Sequence, residues 1–163
     1  LGEGIKRLAR YGLVYDVLIF EKHLPQTIEF VDRHPEQRFV VDHIAKPQIR
    51  DGAFDTKWAT AIRELGRRPH VSCKLSGMVT EVRGDRWDVS LLRPYFETVL
   101  EAFGADRLMF GSDWPVCLLR SEYGEWVRAV GELAGDRSAD EPTSLGGGTG
   151  ARIQKHQGLS PRR

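Results

Sequence analysis

Three apolar segments of this chain run into residues that can do acid–base or metal chemistry. Phe39-Val40-Val41 leads to Asp42-His43, Val71-Ser72-Cys73 leads to Lys74 and Ser76, and Leu108-Met109-Phe110 leads to Gly111-Ser112-Asp113. A carboxylate such as Asp113 can bind a divalent cation or take a proton from water. A neutral imidazole such as His43 can bind a metal or polarise a carbonyl. A lysine can hold a substrate carboxylate or stabilise a developing oxyanion. Each residue also has a plainer use. His43 taken singly could be a hydrogen-bonded core histidine, and Asp113 could cap the turn that Pro115 fixes. Asp42 faces away from His43 by strand alternation, which favours a tie to a backbone or basic partner. Lys74, inside an apolar strand, needs solvent or a carboxylate partner to keep its charge. Similar groups at the same end of successive strands make chemistry the better account. Asp16 reads as mid-strand, and His23 is an outside candidate just past the first strand. His34, His70 and His156 lie elsewhere.

Four successive units must position these groups. The strand candidates are 13–20, 38–44, 70–76 and 107–113, and each is followed by a helical pattern. In the first helix Leu24, Ile28 and Val31 recur at helical spacing, with Pro25 in its first turn. The second helix runs from Asp55 to about Leu65, with Asp55 or Thr56 as its cap and Trp58, Ile62 and Leu65 as its stripe. Ser90 is the expected cap of the third and Gly104 its stop, and the fourth helix covers 121–135. Residues 1–11 read as the end of a preceding helix, terminated by Gly12. Nearly continuous apolar strands separated by helices point to an α/β fold with a parallel sheet. A small doubly wound sheet and half of a (β/α)8 barrel both fit, and both place function at the carboxyl ends of the strands. The domain spans 1–135, and 136–163, rich in Gly, Ser and Arg, reads as an irregular, disordered tail. Its "GGGTG" follows no strand and opens no helix, which argues against a phosphate loop.

Composition sets limits. The 163 residues, 29% charged with a formal net charge of +1, carry no polyanion-binding footprint and predict no nucleic-acid partner. No apolar run approaches a membrane span and nothing reads as a signal peptide, so no membrane partner is expected. Cys73 and Cys117 lack metal-knuckle spacing and read as buried free thiols of a cytoplasmic protein.

"FVVDHIAKPQI", "VSCKLSGMVTEV" and "RLMFGSDWPVCLL", in this order, resemble the metal-dependent hydrolases of the amidohydrolase-2 type. Within that family they are most similar to the sugar-lactonase branch, with its L-fuconolactonase- and rhamnonolactonase-like enzymes. The similarity runs from about Gly12 to Leu133. It implies the C-terminal half of a (β/α)8 TIM-like barrel, these being strands five to eight. It further implies that Asp113 closes the last strand as metal ligand or general base, and that His43 binds metal or polarises the substrate carbonyl. Lys74 and Ser76 become substrate contacts, and Trp114 a wall of the sugar pocket. One divalent, zinc-like ion is the implied cofactor, with His43 and Asp113 as ligands, and a sugar lactone is the implied substrate. The chain departs from the pattern in three ways. No His-x-His pair is present, Asp16 stands where some relatives place a histidine, and "ADEPTSLGGGTGARIQKHQGL" is an eroded closing segment with Pro142 inserted. The chain also opens at Leu1, inside a helix, which suggests a fragment whose open barrel edges would self-associate. The alternatives are a decarboxylase or other metal-dependent hydrolase acting on a carboxylated aromatic-derived substrate, and an inactive remnant or interaction partner.

Overall fold

The computed structural model describes residues 2–135. Residues 136–163, with the expected tail and its glycine run, lie outside the described residues. After helix α1 (Gly2–Arg10) the chain alternates strand and helix: β1 (Val14–Val17), α2 (Leu24–Asp32), β2 (Arg38–Val41), α3 (Thr56–Gly66), β3 (Val71–Leu75), α4 (Val89–Phe103), β4 (Leu108–Phe110) and α5 (Tyr123–Gly135). The four strands are parallel and lie in chain order, β1-β2-β3-β4. Val17 pairs with Val41, Val41 with Cys73, and Cys73 with Leu108. This is four consecutive βα units of a barrel, and it rules out the reshuffled strand order of a doubly wound sheet.

Apolar stripes explain the layering. Trp58, Ile62 and Leu65 of α3 and Phe96 and Val99 of α4 are buried against Val71, Cys73 and Leu75 of β3. The opposite face of β3, with Ser72 and Lys74, is only half-buried. The expectation of strands buried on both faces therefore fails here, because a four-stranded arc leaves its concave side partly uncovered. β1 is also shorter than its apolar run suggests. Leu18 (62% exposed) and Phe20 lie beyond it, and Asp16 becomes its penultimate residue.

The helix starts follow side-chain hydrogen bonding. Asp55 caps α3 by accepting from the Trp58 N–H at 3.0 Å. Asp88, not Ser90, caps α4. It accepts from the Leu91 N–H at 2.8 Å, and Ser90 sits inside the first turn donating to Asp88 at 2.6 Å. A carboxylate two residues earlier holds the open amide with a charge as well as a hydrogen bond, and so displaces the hydroxyl.

At the amino ends of β3 and β4, Arg107 binds the sheet to two helices. Its guanidinium donates to the carbonyls of Arg68, Val71, Gly66 and Ala102 at 2.8–3.3 Å. Burial lowers its pKa. Gly66 lets α3 approach α4, since a Cβ there would lie 2.4 Å from the Ala102 carbonyl oxygen. Gly66→Ala should therefore push the helices apart and cost about 1–3 kcal/mol. Urea denaturation should show a lower midpoint with an unchanged slope.

Candidate active site

At the carboxyl end of β2 the chain does not continue as strand. Asp42–Ala45 forms a tight turn in which His43, Ile44, Ala45 and the following Lys46 have φ between 48° and 61°. Each non-glycine residue in this left-handed region costs about 1–2 kcal/mol. Tertiary contacts offset the strain. Ile44 and Ala45 are fully buried, Trp58 Nε1 donates to the Ile44 carbonyl at 2.7 Å, and the Lys46 N–H donates to the His43 carbonyl at 2.8 Å. The turn swings the His43 ring over the end of β3, where its Nδ1 lies 2.9 Å from Ser76 Oγ. Gly77 makes room, because a Cβ on its backbone would stand 2.9 Å from the ring.

β4 delivers the other group. Asp113 has φ 56°, and its Oδ1 faces His43 Nε2 at 3.7 Å. The turn that follows is held without its carboxylate. Cys117 N–H donates to the Asp113 carbonyl at 2.9 Å, and Trp114 N–H to Ser112 Oγ at 3.3 Å. The turn-capping alternative thus falls to the backbone and Ser112, and the carboxylate is left for the site. A separation of 3.7 Å exceeds a direct hydrogen bond and suits one small ligand bridging both groups.

Lys74 projects from β3 to the same end. Its ammonium lies 2.6 Å from Asp42 and 3.1 Å from Asp16, an ion triplet across three strands. Burial opposes the charge, but the lysine's hydrogen bonds to Asp42 and Asp16 outweigh it and raise its pKa. Asp42 therefore has the basic partner expected of it, through a turn rather than through strand alternation. Asp16, which the sequence reading set in mid-strand, is instead the third member of this triplet near the end of β1. Its signal lay in the parallel register, which sets Asp16 beside Val40 and Val40 beside Ser72, two residues before Lys74. Trp114 follows Asp113 and is 64% exposed. His23 accepts from the Phe20 N–H and starts α2. His34 and His70 pack on Phe30 and Phe39 at the far ends of the strands. Cys73 and Cys117 are buried and free, and burial pushes the Cys73 thiol far above its usual range, away from nucleophilic use.

The donors fit part of a metal shell. Two ligands of a tetrahedral zinc ion stand about 3.4 Å apart, and His43 Nε2 and Asp113 Oδ1 are separated by nearly that. Among the described residues no group of three His, Cys, Asp or Glu side chains could hold a metal ion, and His43 and Asp113 are a pair of donors rather than a full shell.

A half-barrel with a histidine and an aspartate facing each other at its carboxyl end is an arrangement for polar hydrolytic chemistry, and comparison with known proteins gives it a family. A family model described as an amidohydrolase matches residues 2–153, and the chain belongs to that family. It is 46% identical over 158 residues to an L-fucono-1,5-lactonase of Burkholderia multivorans, covering 91% of this chain and 53% of that protein. An L-fucono-1,5-lactonase of Burkholderia ambifaria is 40% identical over 126 residues, covering 77% and 43%. A crystal structure of an amidohydrolase from Burkholderia multivorans with bound zinc superposes with a TM-score of 0.84 at 45% identity, covering 94% of this chain and 56% of that one. The chain spans about half the length of the curated relatives it matches.

The Lys74 triplet has a pH signature. A raised lysine pKa contributes stability below the unfolded-state value of about 10.4, and that contribution is lost as pH rises through the folded value. The urea midpoint should fall above that pH. Lys74→Met should remove this alkaline component, read from midpoints measured across pH 9 to 11.

Proposed function

We propose that this chain supplies the last four βα units of a (β/α)8 lactonase, with residues 2–135 as the barrel portion, and that the enzyme opens a sugar lactone by hydrolysis. The observation that carries this is the Asp113 carboxylate facing His43 Nε2 at 3.7 Å beyond the strand ends. Asp113 takes a proton from a water that attacks the lactone carbonyl carbon. His43 stabilises the oxygen that gains negative charge. The tetrahedral intermediate collapses by breaking the bond to the ring oxygen. The proton passes from Asp113 to that leaving oxygen, giving the open hydroxy acid. A divalent ion held by His43, Asp113 and ligands outside these residues would supply Lewis acidity and a more acidic water. Lys74 commits two of its three N–H donors to Asp42 and Asp16, which leaves one for a sugar hydroxyl. The exposed Trp114 ring offers a flat wall to the sugar's C–H face. No helix among the described residues is long and apolar enough to cross a membrane, and the free buried thiols support a cytoplasmic setting.

Self-association belongs to the same reading. β1 and β4 each have one unpaired edge in the described sheet, and Leu118, Leu119 (76% exposed) and Tyr123 are uncovered beyond β4. Taken alone, the chain should form dimers or larger species, and light scattering after size exclusion should show them. A lone monomer would overturn this.

The test of catalysis uses the full-length barrel carrying this chain and a panel of aldonolactones that includes L-fucono-1,5-lactone, followed by acid release with and without chelator. Asp113→Asn should lower kcat by about 10²–10⁴. Undiminished hydrolysis by that variant would remove Asp113 as the base.

A further inference from the structure

We propose that Asp16 and Lys74 together read one pair of neighbouring hydroxyls on the lactone ring, Asp16 accepting from one and Lys74 donating to the other. This rests on the sugar-lactonase reading above and adds Asp16 to it as a specificity-determining residue.

Strand alternation puts the two groups on one face. Tyr15 packs on Phe30 and Phe39 and Val17 is buried, so Asp16 between them points to the opposite, concave side. Lys74 does the same between buried Cys73 and Leu75. Its charge is already balanced by the largely buried Asp42 at 2.6 Å, so a second carboxylate is surplus to neutralisation. Asp16 meets Lys74 through Oδ2 at 3.1 Å, and among the described residues its Oδ1 has no partner. That oxygen belongs to an exposed side chain.

Charge and spacing together select the ligand. An open carboxylate oxygen takes only hydrogen-bond donors, and an ammonium offers only N–H. A metal cation beside Asp16 would meet the like charge of Lys74 at 3.1 Å, so the fitting donor is a neutral hydroxyl. An acceptor and a donor this close match the two oxygens of a gauche diol. One hydroxyl donates to Asp16 Oδ1 while its neighbour accepts the remaining N–H of Lys74. In a 1,5-lactone the free ring hydroxyls stand on C2, C3 and C4, because the C5 oxygen closes the ring. Every adjacent pair therefore includes the C3 hydroxyl.

The test uses the full-length protein with L-fucono-1,5-lactone and its 2-, 3- and 4-deoxy analogues. In the wild type, loss of the C3 hydroxyl and of at least one neighbour should each lower kcat/KM about 10–100-fold. Asp16→Ala should erase the penalty for one hydroxyl of that pair, and Lys74→Met the penalty for the other. Asp16→Asn, which keeps the shape and an acceptor oxygen, should retain part of the penalty and covers the case in which Asp16→Ala does not fold. If Asp16 only steadied Lys74, its variants would lower the urea midpoint and leave the ratios between lactones unchanged, which would overturn the proposal. A 3-deoxy lactone opened as fast as its parent would overturn it too. Calorimetric dissociation constants for the same lactones, measured in the Asp113→Asn background, need no turnover. Their ratios judge Asp16 even if no lactone is hydrolysed, and absence of binding counts against it.

Discussion

The left-handed turn after β2 is the constraint on which the candidate site depends. Four successive non-glycine residues, His43 to Lys46, hold a backbone conformation that an isolated peptide would leave at once. β-Branched Ile44 makes it dearer still. The conformation persists because Ile44 is sealed in the core and its carbonyl is held by Trp58 from the first turn of α3. A strained loop anchored by a buried aromatic is common where geometry must be exact for chemistry. Here the turn takes a residue that would have continued β2 and points it sideways over β3. Asp113 is treated likewise after β4, with a left-handed φ of its own.

The sheet has two poles. At the amino ends of β3 and β4, Arg107 gives its donors to backbone carbonyls, and His34 and His70 pack on aromatic rings. At the carboxyl ends stand the triplet of Lys74 with Asp42 and Asp16 and the facing pair of His43 and Asp113. Arg107 and Lys74 are both cations partly withdrawn from water, yet burial lowers one pKa and carboxylate contacts raise the other. The difference is carbonyl dipoles against full negative charges.

Much of this was legible from residue types. The order of elements, the strand cores and the stripes of α3 and α4 follow from apolar periodicity, and Asp55 and Gly104 mark boundaries where expected. His43 and Asp113 were recognisable because polar groups recur after successive apolar runs. Three features were not legible. Leu18-Ile19-Phe20 has strand composition but lies beyond β1, since apolar residues look alike whether they pair in a sheet or meet another surface. The left-handed turn has no glycine to announce it, because distant packing imposes it. The Lys74 triplet depends on register between strands far apart in sequence, which no local pattern encodes.

Because the strands stand in chain order, each unit meets chiefly the one before it and the one after it. β3 alone borders both the strand leading to His43 and the strand leading to Asp113. It also contributes Lys74 to one side and is followed by Ser76 on the other. An error in β3 would therefore misalign both site-bearing neighbours at once, whereas an error in β1 would reach only β2 among the described strands. The chain's tolerance for change should accordingly be graded by position in the row, lowest at its third strand and rising toward its first.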